Sequence, residues 1–421
     1  MGNYGEKNLK MLQVNIQTYK NLNYRHFSKI HQMTAYLAMF PPNLPNYFIE
    51  NFTDEEDYVF DPFCGRGTVV FEACRMGRVG IGNDLNPLAY IITKAKANLP
   101  KKENIFRKID KLEQEYTPID IRNVPEEIKM LFDTELTLPQ LQFLKKNLKK
   151  TNKIDVFILS VLSGILHGKR KKDGTSIYCS IDMPNTFSMS PNYIKKFIIE
   201  HNLEKPKQNV FNLLRQRVNT LFEERNLYAN KDLSMYVNGF VYKKDAIKSS
   251  KIIENKFGKY SIKMILTSPP YLKVINYGKY NWIRLWLLDE VEDNVDKKVT
   301  LYHRMQNQKL TDNMNLANYA NYMQKLFNSW ATILQKDGYA FVVIGDVNDG
   351  NKTINLAQET WNLIQENGGC KLDLIDILAD DITQNGDVKV TKIWGKKRGN
   401  ATKIDRIMIF KHKNGTIYGQ S

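Results

Sequence analysis

The chain has 421 residues, 42% hydrophobic and 25% charged, an ordinary globular balance that excludes wholesale disorder. Lys and Arg total 61 against 45 Asp and Glu, and this net charge of +16 points to a polyanionic partner. The opening MGNYGEKNLK has no apolar stretch, and the longest apolar run (156–166) is about half the ~20 residues of a membrane span, so neither a secretory signal nor a membrane anchor is expected.

Residues 1–57 read as a helical lead-in, in which Phe40-Pro41-Pro42 precedes an apolar run that starts a helix at Pro45. A short buried strand at 58–60 runs into Asp61-Pro62-Phe63-Cys64-Gly65-Arg66-Gly67-Thr68. A helix pattern follows at 69–76, then a second strand at 79–82 that ends at Asp84. The next helix starts near Pro87, a favoured first-turn position for proline, and runs towards Leu99. Strands and helices alternating through glycine-rich turns predict an α/β fold with a parallel, doubly wound sheet.

That alternation stops at residue 100. Residues 100–235 read as mostly helical and charged, with a polar island at 174–191. Within them, 141–220 hold 15 basic and 5 acidic residues, a net of +10. The run Lys169, Arg170, Lys171, Lys172 suits duplex phosphates, which position nucleic acid without reading its sequence. Strand patterns return at 239–242 and 263–266, a helix pattern spans 316–334, and strands follow at 339–344, 371–378 and 406–410. Residues 391–421 carry a net of +7, which leaves −1 for the rest. The bland alternative for either basic block is a solvated face. The expected organisation is an α/β domain in two halves, 1–99 and 236–421, split by a helical basic insertion at 100–235.

Two constellations carry chemistry. In the first, Gly65 and Gly67 let the backbone turn tightly and approach a ligand. Asp84 ends the next strand 23 positions after Asp61, a spacing at which a carboxylate reaches a ribose hydroxyl pair. Val70 stands where a dinucleotide site would carry its third glycine, and no Lys-Ser or Lys-Thr follows as in a phosphate-binding loop. A ligand with a ribose and no phosphate fits better, and S-adenosylmethionine is such a ligand. The second constellation is Ser268-Pro269-Pro270-Tyr271, directly after a predicted strand, where ligand sites of open α/β sheets lie.

Over roughly residues 30–100 and 237–412 the chain resembles the methyltransferases that act on exocyclic amines of DNA. The segment from Asp61 to Thr68 resembles their cofactor motif. Ser268-Pro269-Pro270-Tyr271 resembles their catalytic motif in the Ser form typical of cytosine-N4 enzymes, whereas Asp and Asn forms are typical of adenine-N6 enzymes. Phe40-Pro41-Pro42 resembles the segment beside the methionine part of the cofactor, and Lys244-Asp245-Ala246 the loop whose acid reaches the adenine amino group. The resemblance implies a Rossmann-like sheet and S-adenosylmethionine held by Phe40, Pro41, Asp61, Phe63, Gly65, Gly67, Thr68, Asp84, Asp245 and Ala246. It also implies double-stranded DNA as substrate, 100–235 as the target-recognition region, and a cognate restriction endonuclease as the setting. The order here, with the cofactor motif first and a long insertion before the catalytic motif, departs from the arrangement that begins with the catalytic motif.

Other readings stay open. Adenine-N6 methylation of DNA needs the same kind of site. Guanine-N2 methyltransferases of tRNA carry a similar Asp-Pro-Phe-Cys-Gly turn, although only 60 residues precede Asp61 to hold an RNA-binding domain. A nucleic-acid-binding protein on an inactive fold is the non-enzymatic rival. Carbon-5 methylation of cytosine needs a cysteine nucleophile, commonly after proline. The residues before the four cysteines are Phe63, Ala73, Tyr178 and Gly369, which excludes it. Cysteines without paired spacing and histidines without ligand spacing predict no disulfide framework and no metal site, in a reducing cytoplasm. Residues 183–191 read as a base-contacting or scaffold loop, one of Tyr277, Tyr280 and Trp282 as a base-pocket residue with core packing favoured for Trp282, and Asp346 as an active-site neighbour or helix cap. Oligomeric state has no signal in the sequence.

Overall fold

Strands in the middle of a parallel sheet are covered on both faces and carry apolar residues at successive positions. β1 (Tyr58–Asp61) and β4 (Ile262–Thr267) have this character, with Val59, Phe60, Met264, Ile265 and Leu266 wholly buried. The computed structural model describes residues 14–20, 27–37, 40–168, 176–183, 187–223, 233–270, 277–290, 314–349, 352–381 and 401–413. Besides β1 and β4, its strands are β2 (Val79–Asn83), β3 (Phe240–Tyr242), β5 (Leu334–Asp349), β6 (Lys352–Ile354), β7 (Leu372–Asp381) and β8 (Ala401–His412). They form one sheet of order β3-β2-β1-β4-β5-β8-β7, with β6 folded back on β5. β1 to β5 are parallel, and β8 runs antiparallel between β5 and β7.

The period of two in the central strands feeds two separate cores. Met264, Leu266, Phe341 and Val343 pack with the helices Asn43–Phe52 and Thr68–Arg75. Ile262, Ile265, Ala340 and Val342 pack with Ala246–Phe257, Leu316–Trp330 and Leu356–Glu366. The expected doubly wound α/β sheet is therefore present.

Some boundaries moved. The helix expected at 316–334 ends at Trp330, because Leu334 joins the sheet opposite Ile262. β5 runs on to Asp349 because its end turns back as a hairpin with β6, a strand that the periodicity did not reveal.

The described residues of 102–222 form a mostly helical layer that shares one core with the sheet domain. Lys153–Ile165, apolar almost all round, lies along Pro87–Ala97 of the sheet domain. One continuous core joins Ile91, Ile92 and Ala95 to Ile105, Phe157 and Leu214. Gly164 is required at this junction, since a Cβ there would stand 2.1 Å from the Met33 carbonyl oxygen of the lead-in. Among the described residues, no helix is long and apolar enough to cross a membrane.

Candidate active site

β1 pairs with β2 on one side and β4 on the other, so the strand order reverses between β1 and β4. Open α/β sheets bind ligands in the crevice outside the strand ends at such a point. Here the crevice receives the turn after β1, Asp84 after β2, Lys244-Asp245 after β3 and Ser268-Pro269-Pro270 after β4. Both sequence constellations thus meet, although some 200 residues separate them.

The turn after β1 is closed by its backbone. Cys64 N donates to Asn83 O at 2.9 Å and Gly67 N to Cys64 O at 2.6 Å. Asp84 accepts from Gly65 N at 2.9 Å and from Asn86 N at 2.8 Å, while its side chain stays partly exposed to the crevice. Gly65 has a positive φ of 48°, which a side chain would strain. Gly67 also has a positive φ, 73°, and a Cβ there would meet the Thr93 hydroxyl at 2.7 Å, so close helix packing requires this glycine as well.

Asp61 is only 2% exposed and acts as a strut. Its Oδ1 accepts from Thr267 Oγ1 at 2.6 Å and Phe63 N at 3.1 Å. Burial pushes its carboxyl up to about 7 against the pull of those two bonds, and burial pushes Asp84 up to about 6. Burial also raises the Cys64 thiol, which keeps it protonated as a small apolar filler.

The lead-in is latched to this turn. Arg66 donates to the carbonyls of Phe40 at 3.1 Å and His31 at 3.3 Å, and Thr68 Oγ1 donates to Phe40 O at 3.4 Å. Phe40-Pro41 therefore lies beside the turn after β1, with Pro42 opening the helix Asn43–Phe52. Asp245 caps Ala246–Phe257, accepting from Ile247 N at 3.0 Å, and Ala246 is buried as the first residue of that helix. Asn83 ties this loop to the first turn, donating to Pro62 O and Lys244 O and accepting from Lys244 N.

Three residues at the site carry no motif. Leu85 is 43% exposed beside Asp84, an uncovered apolar face at the crevice. Tyr322 of Leu316–Trp330 comes within 6.5 Å of the Phe63 ring, centroid to centroid. Burial raises its hydroxyl, with the charges of Asp245 and Asp84 adding to the shift. Tyr36 accepts from Asn86 Nδ2 at 2.8 Å and stacks on Tyr277 at 5.9 Å. Apolar Leu85, aromatic Phe63 and Tyr322, and the carboxylate of Asp84 match a nucleoside with a flat base and ribose hydroxyls.

The second turn is held by side chains. Ser268 Oγ donates to Val343 O of β5 at 3.0 Å, while Thr267 grips Asp61. Tyr271 lies outside the described residues, as do Lys169, Arg170, Lys171 and Lys172. The helical layer braces the segment 280–282 downstream of this turn. Ser188 N donates to Tyr280 O at 2.6 Å and Trp282 Nε1 to Met189 O at 2.9 Å, so residues 187–189 act as scaffold. Trp282 is wholly buried. Asp346 is neither a helix cap nor free, because it lies inside β5 and pairs with Arg406 of β8 at 2.9 Å.

The +10 block is partly neutralised within the fold. Lys145 meets Asp289, Lys150 meets Glu290, and Arg215 meets Asp110 and Glu113, all within 2.8 Å. Lys146, Lys149 and Lys153 are exposed. Among the described residues, no three His, Cys, Asp or Glu side chains are placed to hold a metal.

Residues 4–95 match the family described as DNA methylase. The Type II methyltransferase M.BsoBI of Geobacillus stearothermophilus is 26% identical over 293 residues, 64% of this chain and 53% of that protein. The Type II methyltransferase M.MvaI of Kocuria varians is 35% identical over 86 residues, 20% of this chain and 19% of that protein. The chain thus spans about half the length of the first relative and less of the other. The rRNA methyltransferase aviRa of Streptomyces viridochromogenes aligns over 95% of this chain and 94% of its own at 8% identity, with a TM-score of 0.32 too low to bear on the fold. The family match and the relatives are DNA methyltransferases, and a methyltransferase of this kind implies S-adenosylmethionine as methyl donor.

Proposed function

We propose that the chain is a DNA methyltransferase that moves a methyl group from S-adenosylmethionine to the exocyclic N4 amine of cytosine in a short duplex sequence. The observation that carries this reading is the setting of Ser268, at the C-terminal end of β4 and across the strand reversal from Asp84. Phe40, Pro41, Phe63, Gly65, Thr68, Asp84, Asp245 and Ala246 border the cofactor region, with Asp84 as the acceptor for ribose hydroxyls and Asp245 for the adenine amine. Asp61 and Gly67 shape that region from behind.

The bound cofactor supplies an electrophilic methyl-sulfonium. The cytosine amine is a poor nucleophile because its lone pair is delocalised into the ring, so the chain must orient it. Ser268 Oγ donates to Val343 O, which orients its oxygen as the acceptor for one amine hydrogen. The Pro269 carbonyl accepts the second, and Pro270 stiffens the turn so that both acceptors are preorganised. The lone pair of the nitrogen then points along the line of transfer. No strong base is required, because the amine proton becomes acidic once the nitrogen is alkylated. Tyr271 stacks on the target base, which is reached only when flipped out of the duplex. Lys169, Arg170, Lys171 and Lys172 contact phosphates, and 100–235 reads the target. The setting proposed is host protection beside a cognate restriction endonuclease, in the cytoplasm.

The test is incubation with labelled S-adenosylmethionine and either duplex DNA or tRNA, followed by hydrolysis and identification of the methylated nucleoside. N4-methylcytosine is the expected product. N6-methyladenine would transfer the reading to the sister chemistry, which uses the same two acceptors. Label found only in tRNA would overturn it.

A further inference from the structure

We propose that Thr267 is a positioning residue, whose hydroxyl on the Asp61 carboxylate sets the distance between the cofactor turn and the amine-binding turn. This rests on the methyl-transfer reading and adds a residue to it. The backbone ladder between β1 and β4 ends at Phe60 opposite Ile265. Past that point the two turns diverge into the crevice, and Thr267 Oγ1 reaches Asp61 Oδ1 at 2.6 Å across a sequence separation of 206. The same oxygen accepts from Phe63 N, so one atom joins the start of the cofactor turn to the last residue before Ser268. Ser268 is held from the other side by Val343 O. The amine acceptors are therefore suspended between β1 and β5 by two adjacent hydroxyls. Thr267 is wholly buried and Asp61 nearly so, and an apolar pair of this size would avoid the cost of burying a carboxylate. What the polar pair adds is a directional bond of fixed length. In-line transfer is sensitive to that length, since a misplacement of ~1 Å costs on the order of 10²-fold in rate.

The test uses the full chain with Thr267→Val, which keeps the shape and removes the donor, and Thr267→Ser, which keeps the donor. Methyl transfer to duplex DNA, the KM for S-adenosylmethionine, its Kd by calorimetry and thermal melting are measured for each. Thr267→Val should lower kcat by ~10–100-fold and leave KM and Kd within ~3-fold, while Thr267→Ser stays within ~3-fold of the parent in kcat. A Thr267→Val enzyme with kcat within ~3-fold of the parent overturns the proposal. So does an equal fall of kcat in both variants that tracks a fall in melting temperature, which marks a structural role. A parent chain inactive on DNA counts against the function reading and takes this proposal with it. An active parent with an unaffected Thr267→Val overturns the positioning role alone.

Discussion

The turn after β1 and the turn after β4 face one crevice and are built by opposite means. The first contains Gly65 and Gly67, both at positive φ, and is closed by main-chain bonds from Cys64, Gly65 and Gly67. The second contains no glycine. Two prolines stiffen it and two hydroxyls, of Thr267 and Ser268, tie it to the neighbouring strands. A turn that folds back this tightly between a strand and a helix needs backbone freedom, which glycine provides. A turn that presents oxygen acceptors needs rigidity and no competing donors, which proline provides.

Each turn should therefore fail in its own way. The largest effect is expected from Ser268→Ala, which should lower the rate of methyl transfer by ~10²-fold or more and leave the cofactor Kd within ~3-fold. Unchanged turnover would remove the second turn from the chemistry. Gly67→Ala should instead damage the fold, because the new Cβ meets Thr93 at 2.7 to 2.9 Å in a left-handed conformation. A loss of ~2–4 kcal/mol in denaturant unfolding is expected, and a loss below ~1 kcal/mol would show that the helix yields.

Asp84→Asn should weaken cofactor binding by ~10-fold, as one charged acceptor is lost. In the parent, affinity should also fall as pH drops through about 6, where Asp84 takes up its proton. The Asn variant should show a flatter calorimetric profile, and an equally steep one would assign the titration elsewhere. Asp61 bears on stability. Its folded value of about 7 lies above the ordinary 3.8, so what it contributes to stability is complete below ~4 and is lost as pH rises through about 7. Asp61→Asn should remove that part of the pH dependence of unfolding. The smallest effect on the catalytic centre is expected from neutralising Lys169, Arg170, Lys171 and Lys172 together. DNA affinity should fall and its salt slope flatten, with cofactor binding unaltered. An unchanged slope would return this run to a solvated face.

Much of the site was legible because its parts are contiguous and chemically unusual. The stretch from Asp61 to Thr68, the spaced Asp84 and Ser268-Pro269-Pro270 announce themselves by residue type. Thr267, Tyr322 and Leu85 did not. Tyr322 sits on an amphipathic helix more than 50 residues past the second turn, where one more aromatic reads as core. Leu85 is ordinary until its exposure is known. The pairing of Asp346 with Arg406 was equally hidden, since it depends on the antiparallel register of β5 and β8.

The sequence by itself determined every described strand except β6 and the identity of the two turns, because periodicity and local turn chemistry act over a few residues. Only the tertiary structure decided that the two turns meet, that Asp61 accepts from Thr267, and that Gly67 packs against Thr93. It also laid the described helices of the +10 segment against the sheet domain, with part of their charge already matched by Asp110, Glu113, Asp289 and Glu290. Those outcomes depend on strand order, register and close packing across tens to hundreds of residues, none of which is encoded in a local pattern.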